Sequence, residues 1–264
     1  MNKAIVLSTT GIAASLAMLA FGFVSGQQRV PAPDTQIITA STSNGQLERA
    51  DVEKIVREYL LANPEILLDV QQALEEKRDE QQRVAHSQVI EQDKSEIFNS
   101  AYDGVVGNPD GKFTIVEFYD YNCGYCKHAQ QDMQALTAEN PDLRFVLKEF
   151  PILGPDSQKA HVVSMAFRAL MPEKYGEFHN RLLGGQGRAD EASAMKIALS
   201  LGADEAKLRK EMKNPAIIEA FSRTYDLANK LAISGTPSYV VGNEVVFGAL
   251  GKDALQEKIA AASK

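Results

Sequence analysis

The 264-residue chain holds only two cysteines, and they stand three positions apart in Tyr121-Asn122-Cys123-Gly124-Tyr125-Cys126-Lys127-His128. An apolar run, residues 113–119, leads into the pair, and a helical pattern, residues 127–139, leads out. Cys123 is therefore expected at or just before a helix N-terminus. Unpaired backbone N–H groups and the positive end of the helix dipole favour an anion there, so its thiol should ionise more easily than a free one. A thiolate attacks disulfides. Cys126, one helical turn on, is within reach to close a small disulfide with Cys123 or to resolve a mixed one.

Other uses of the pair fit less well. Two cysteines are too few for a disulfide scaffold, and their spacing staples no distant parts of the chain. A structural zinc would need two more ligands, and His86, His128, His161 and His179 all lie at the wrong spacing. Haem attachment needs a histidine directly after the second cysteine, where this chain has Lys127. The turn Gly184-Gly185-Gln186-Gly187 follows no strand and lacks the lysine of a phosphate loop. Neither a metal nor a cofactor is expected. His128 is placed to tune Cys123 or to be solvated, while His161 and His179 sit in helical patterns and read as structural. Tyr119 and Tyr121 flank the pair, either lining a substrate groove or packing the strand.

The elements that position this pair belong to an ordinary globular chain, 44 % apolar with a net charge of −7. That charge argues against a nucleic-acid or anionic-membrane partner, which would need clustered Lys and Arg. Residues 1–26 read as an export signal: Lys3 precedes an uncharged, mostly apolar run, residues 4–26, which is either cleaved near Val24-Ser25-Gly26 or retained as an anchor. Either way the remainder reaches a compartment where disulfides persist. Residues 27–46, with Pro31 and Pro33, read as a flexible linker.

Residues 47–100 are expected to be helical. Val52, Ile55, Val56, Tyr59 and Leu60 mark one amphipathic helix with Asp51 as a plausible cap. Asn63-Pro64 ends it and caps a second, whose apolar seam runs through Leu67, Val70 and Leu74. From Glu75 to about Ser100 the charge is spread nearly all round, which predicts a solvated rod. The apolar helices ahead of it then need a partner, and the sequence favours other copies of the chain meeting through residues 47–74.

Residues 101–264 form the main domain. A turn-rich stretch at residues 104–111 opens it, then come a strand at 113–119, the Cys-x-x-C helix and a strand at 143–148, a β-α-β unit. A helical block fills about 155–231. Two strands joined by a Gly242-Asn243 turn and a closing helix, residues 252–262, complete an α/β chain.

This order resembles the thioredoxin fold with the helical insertion of the DsbA-type thiol:disulfide oxidoreductases, preceded here by a helical stalk. The resemblance implies that Gly235-Thr236-Pro237-Ser238 is the family's cis-proline loop facing the cysteines, where substrate backbone pairs with Thr236. It implies that Glu117 and Lys148 lie beneath the site and handle the proton of Cys126. Cys123 and Cys126 would be the catalytic, redox-active pair with Thr236 and Pro237 opposite, and Gly124, Tyr125, Gly235, Thr236 and Tyr121 would meet substrate. Members that chiefly oxidise carry Cys-Pro-His-Cys and Val before the proline. Gly124-Tyr125 and Thr236 are instead similar to periplasmic isomerases and reductases, which implies a milder redox poise.

The stretch from Val56-Arg57-Glu58-Tyr59 to Glu65-Ile66-Leu67 resembles the N-terminal segment of suppressor-of-copper-sensitivity C (ScsC) type proteins, which are DsbA-like with an oligomerising stalk. That implies a periplasmic oxidoreductase and isomerase acting on protein disulfides and thiols. It also implies a membrane redox partner that resets the cysteines, and a setting in copper tolerance. Rival readings are a dithiol oxidase, a copper-binding protein using the two thiolates, and a non-catalytic scaffold with a fixed disulfide.

Overall fold

The computed structural model describes residues 48–262. The signal or anchor at residues 4–26 and the linker at 27–46 lie outside the described residues. No helix among the described residues is long and apolar enough to cross a membrane. The chain divides into two units after Tyr59.

Helix α1 (Arg49–Ala62) begins two residues ahead of Asp51, which lies in its first turn rather than capping it. It buries none of its residues, and Val52, Ile55, Val56 and Tyr59 stay exposed along one face. The Asn63-Pro64 break is a turn, closed by the Ile66 N–H to the Asn63 carbonyl at 3.3 Å, and α2 starts at Ile66 (Ile66–Gln92). Leu67, Leu68, Val70 and Leu74 are exposed on α2 as well.

The rod expected to run solvated to Ser100 does not do so. The chain from Glu75 to Ala85 is exposed, but His86 and Ile90 of α2 and Ile97 of α3 (Lys94–Asn99) are buried against the main sheet. Burying two isoleucines contributes on the order of 3–6 kcal/mol, enough to hold the base of α2 on the domain. An ion pair, Lys230 Nζ to Asp93 Oδ2 at 2.8 Å, closes the junction.

The sheet has five strands in the order β1-β3-β2-β4-β5: β1 (Gly104–Gly107), β2 (Phe113–Tyr119), β3 (Leu143–Glu149), β4 (Ser238–Val241) and β5 (Glu244–Phe247). Only β2 and β3 pair in parallel, around the Cys-x-x-C helix α4 (Gly124–Glu139). The first strand was hidden in what reads as a glycine-rich turn. Gly104 is required there because a Cβ would sit 1.9 Å from the Tyr175 ring.

Between β3 and β4 lie α5 (Pro155–Leu170), a 3-10 turn (Pro172–Lys174), α6 (Tyr175–Leu183), α7 (Glu191–Ser200), α8 (Glu205–Glu211) and α9 (Pro215–Lys230), as the helical block predicts. The closing helix is α10 (Lys252–Ala262).

Alternation along the strands separates two cores. Ile115, Tyr119, Phe145, Leu147 and Tyr239 face α4, the insertion and α10. Val116, Phe118, Val146 and Val240 face the other way, against Ile90, Ile97 and the end of α9.

Candidate functional site

Strand β2 is buried along its last five residues and delivers the chain to a turn, residues 120–122, from which α4 springs. Cys123 is the N-cap of α4, in extended conformation (φ −78°, ψ 117°), and its sulfur accepts the Cys126 N–H at 3.4 Å. An N-cap side chain satisfies one of the orphan N–H groups of the first turn, and here the capping atom is the thiol sulfur of Cys123.

The opposite wall comes from the segment before β4. The Thr236–Pro237 peptide is cis, and the Cys123 thiol donates to the Thr236 carbonyl at 3.1 Å. Pro237 is itself held by the Gly248 N–H on its carbonyl at 2.9 Å, and the Ser238 hydroxyl donates to the Gly235 carbonyl at 2.8 Å. Gly124 and Tyr125 are exposed beside the sulfur, Tyr125 by 72 %.

The two thiols sit in opposite electrostatic states. A hydrogen bond from the Cys126 thiol, outweighing burial, and the N–H groups of the first helical turn hold the Cys123 pKa down to about 5. Burial pushes Cys126 far above the ordinary thiol range, and its bond to Cys123 and the nearby Glu117 add to the shift. Glu117 is buried on the α4 side of β2, and burial, followed by the charge on Cys123, raises its carboxyl to about 8. Neither cysteine is in a disulfide.

Two of the predicted residues are placed elsewhere. Lys148 is next to Phe118 in the β2–β3 register, so its side chain leaves the opposite face of the sheet from Glu117. There it is fully buried, pairs with Asp103 at 2.5 Å and donates to the Glu96 carbonyl. It cannot reach Cys126. Tyr121 is equally inaccessible, at 0 % exposure, so it packs the core and does not line a substrate groove.

Tyr121 belongs to a buried polar cluster that the sequence did not assemble. Its hydroxyl contacts Ser164 Oγ at 2.8 Å, Ser164 donates to Glu149 Oε1 at 2.6 Å, and His161 Nδ1 faces Glu149 Oε2. The Tyr121 N–H lies 3.2 Å from His161 Nε2; burial works against a charge on the ring, but the Glu149 and Asp120 carboxylates beside it outweigh burial and raise the His161 pKa. His179 lies in the same cluster and burial holds its pKa down to about 4, while His128 is exposed on α4. His161 and His179 are thus structural, as their helical setting suggests. Among the described residues no group of three or more His, Cys, Asp or Glu side chains is placed to hold a metal ion.

Comparison with known proteins agrees with this geometry. The family described as DSBA-like thioredoxin domain matches residues 114–260, more than half of the chain, and the copper resistance protein ScsC N-terminal domain matches residues 48–81. A thioredoxin-like oxidoreductase from Silicibacter pomeroyi is 37 % identical, with a TM-score of 0.61 over 64 % of this chain and 96 % of that one. ScsC of Proteus mirabilis in a compact conformation is 28 % identical, with a TM-score of 0.60 over 81 % of this chain and all (100 %) of that one. Disulfide bond formation protein D of Bacillus subtilis is 26 % identical over 184 residues, 63 % of this chain and 83 % of that protein. The chain also matches Na(+)/H(+) antiporter NhaA proteins of Salinispora, of whose length it spans about a quarter (24 %). The chain belongs to the DsbA-like thioredoxin-domain family, with an ScsC-type N-terminal domain ahead of it.

Proposed function

We propose that this protein is a periplasmic thiol:disulfide oxidoreductase that reshuffles or reduces disulfides in other proteins and works as a homo-oligomer. The observation that carries the reading is the opposite setting of the two thiols. Cys123, with a pKa of about 5, is the attacking thiolate at neutral pH, while Cys126 is buried and stays protonated. A structural disulfide has no use for that difference.

The cycle follows from it. The Cys123 thiolate attacks a client disulfide, forming one S–S bond to the client and releasing the other client sulfur as thiolate. In isomerisation a client thiolate attacks the mixed bond and expels Cys123 unchanged. In reduction Cys126 gives up its proton and attacks the Cys123 sulfur, leaving the client dithiol and a Cys123–Cys126 disulfide, which a membrane redox partner must reduce.

Glu117 is the group placed to take the Cys126 proton. Once Cys123 is in the mixed disulfide its negative charge is gone, one of the two causes of the high Glu117 pKa disappears, and the carboxylate form becomes available. The Thr236 backbone beside the sulfur offers an edge on which an extended client segment can pair.

A Cys123 pKa of about 5 lies between the values of about 7 in reducing and about 3.5 in strongly oxidising relatives of this chemistry, which favours an intermediate potential. The exposed apolar faces of α1 and α2 and the ScsC-type match over them support assembly of several copies. Export to the periplasm rests on the apolar N-terminal run.

The test is the reduction potential together with rescue of a scrambled client. A potential below about −300 mV would mark a structural disulfide and overturn the reading. Rescue should fall when the chain is shortened to begin at Gln82, a cut that keeps His86, Ile90 and Ile97 on the domain. Undiminished rescue would remove the oligomer from the mechanism.

A further inference from the structure

The turn that presents Cys123 is tied down by one buried carboxylate. Asp120 Oδ1 accepts the Asn122 N–H and the Ser157 hydroxyl, each at 2.8 Å, and Oδ2 accepts the Leu153 N–H at 2.9 Å. The Asp120 carbonyl accepts the Cys123 N–H at 3.0 Å. Asn122 extends the lattice: its amide donates to the Ala189 carbonyl and to Ser157 Oγ, each at 2.9 Å, and accepts the Ala189 N–H at 2.7 Å. The end of β2, the loop at Leu153, the first turn of α5 and the segment before α7 therefore converge on residues 120–122.

Three donors on a fully buried carboxylate need an acceptor-only group, which an ionised Asp is. Burial alone would favour the neutral acid, but the donors and His161, whose Nε2 lies 3.9 Å from Oδ1, outweigh it and hold the Asp120 pKa below the usual carboxylate value. Neither the helix N-terminus nor the cysteine spacing accounts for such a lattice.

We propose that Asp120 is a positioning residue for the nucleophile: its carboxylate holds the turn at residues 120–122 so that the Cys123 sulfur meets the Cys126 N–H and the Thr236 carbonyl together. The proposal rests on Cys123 being the attacking thiol. Loss of Asp120 lets the sulfur drift from the Cys126 N–H and S–H, and the thiolate loses its stabilising partners. A simple charge effect has the opposite sign, because removing a nearby anion makes a thiol easier to ionise.

Thiolate absorbance against pH, and alkylation by iodoacetamide located by mass spectrometry, test this on the full-length reduced protein carrying Asp120→Asn. The titration midpoint should rise by about one unit above the wild-type value of about 5. At a pH below both midpoints alkylation of Cys123 should slow roughly threefold, the tenfold loss of thiolate being partly offset by its greater nucleophilicity. An unchanged or lowered midpoint overturns the proposal, even where thermal stability falls, since a merely structural carboxylate would affect stability alone.

Should Asp120→Asn fail to fold, Ser157→Ala decides. It removes one donor from Asp120, and a smaller rise in the midpoint supports the proposal while no rise overturns it. A wild-type protein whose Cys123 alkylates no faster than a free thiol would instead refute the assignment of Cys123 as nucleophile, a separate failure visible before any variant is made.

Discussion

The sulfur of Cys123 lies 3.1 Å from the carbonyl oxygen of Thr236. That contact exists only while the sulfur carries its proton, because a thiolate and a carbonyl oxygen are both acceptors. Ionisation therefore removes the donor from the Thr236 carbonyl, leaving it free in the proposed cycle for a client N–H, while the sulfur keeps the Cys126 N–H it already accepts. Activation of the nucleophile and opening of the backbone edge are one event.

Removing the partner thiol separates these roles. Cys126→Ala deletes the strongest stabiliser of the Cys123 thiolate, so the Cys123 midpoint should move up from about 5, and mixed disulfides with clients should accumulate. Cys123→Ala should abolish exchange. Non-reducing electrophoresis of each variant incubated with a disulfide-bonded client checks both, and equal residual activity in the two would refute the assignment.

Glu117→Gln should spare the first step and slow the second. Alkylation of Cys123 is expected to change little, whereas resolution of a mixed disulfide by Cys126 should fall about tenfold or more. Stability gives an independent check. The Glu117 pKa is raised to about 8 from an unfolded value near 4.3, so its contribution is intact below about pH 4.3 and is lost as pH rises toward 8. Relative to wild type, the Gln variant should gain up to about 5 kcal/mol across that window and no more above it. Denaturant titrations of the reduced proteins at several pH values would show it.

Lys148→Met should damage stability and leave exchange alone. Breaking the fully buried pair with Asp103 is expected to cost about 3–5 kcal/mol, and the double change Lys148→Met with Asp103→Leu should recover much of it. Denaturation midpoints measure the loss, and an unmoved Cys123 titration distinguishes this site from the one on the other face of the sheet.

Charge placed on the exposed apolar residues of α1 or of α2 should dissociate the proposed assembly. Ile55→Asp or Leu67→Asp buries no new group within the described chain, since both positions are exposed, so the domain should fold normally. Sedimentation should report smaller species, with client isomerisation reduced severalfold and Cys123 alkylation unchanged. An unaltered sedimentation profile for both variants would refute assembly through these helices.

Much of this site was legible in the sequence because its signals are local. Cys123 as N-cap and the apolar run of β2 each depend on a few neighbouring residues, whereas the Gly235-Thr236-Pro237 loop is read as part of the site only through its resemblance to the family's cis-proline loop. Lys148 was misplaced because the face it occupies depends on the register between β2 and β3, which one strand's sequence does not contain. Strand β1 looks like a turn because Gly104 answers to Tyr175 and Gly107 to Leu143 and Thr137, contacts distant in sequence that only folding creates. Asp120 and Asn122 are recognisable turn formers, yet their partners, Leu153, Ser157 and Ala189, come from loops of the insertion. The charged stretch after Leu74 concealed His86, Ile90 and Ile97 among polar neighbours, too sparse a pattern to read as a buried face.

Because Cys126 has no exposed surface and its thiol resists ionisation, no molecule in solution can address it directly. It acts only on whatever Cys123 has already captured, and only after surrendering a tightly held proton. In the cycle proposed above, Cys126 is thus a timer: a captured client has that interval to find its own better pairing, and is ejected reduced when the interval runs out.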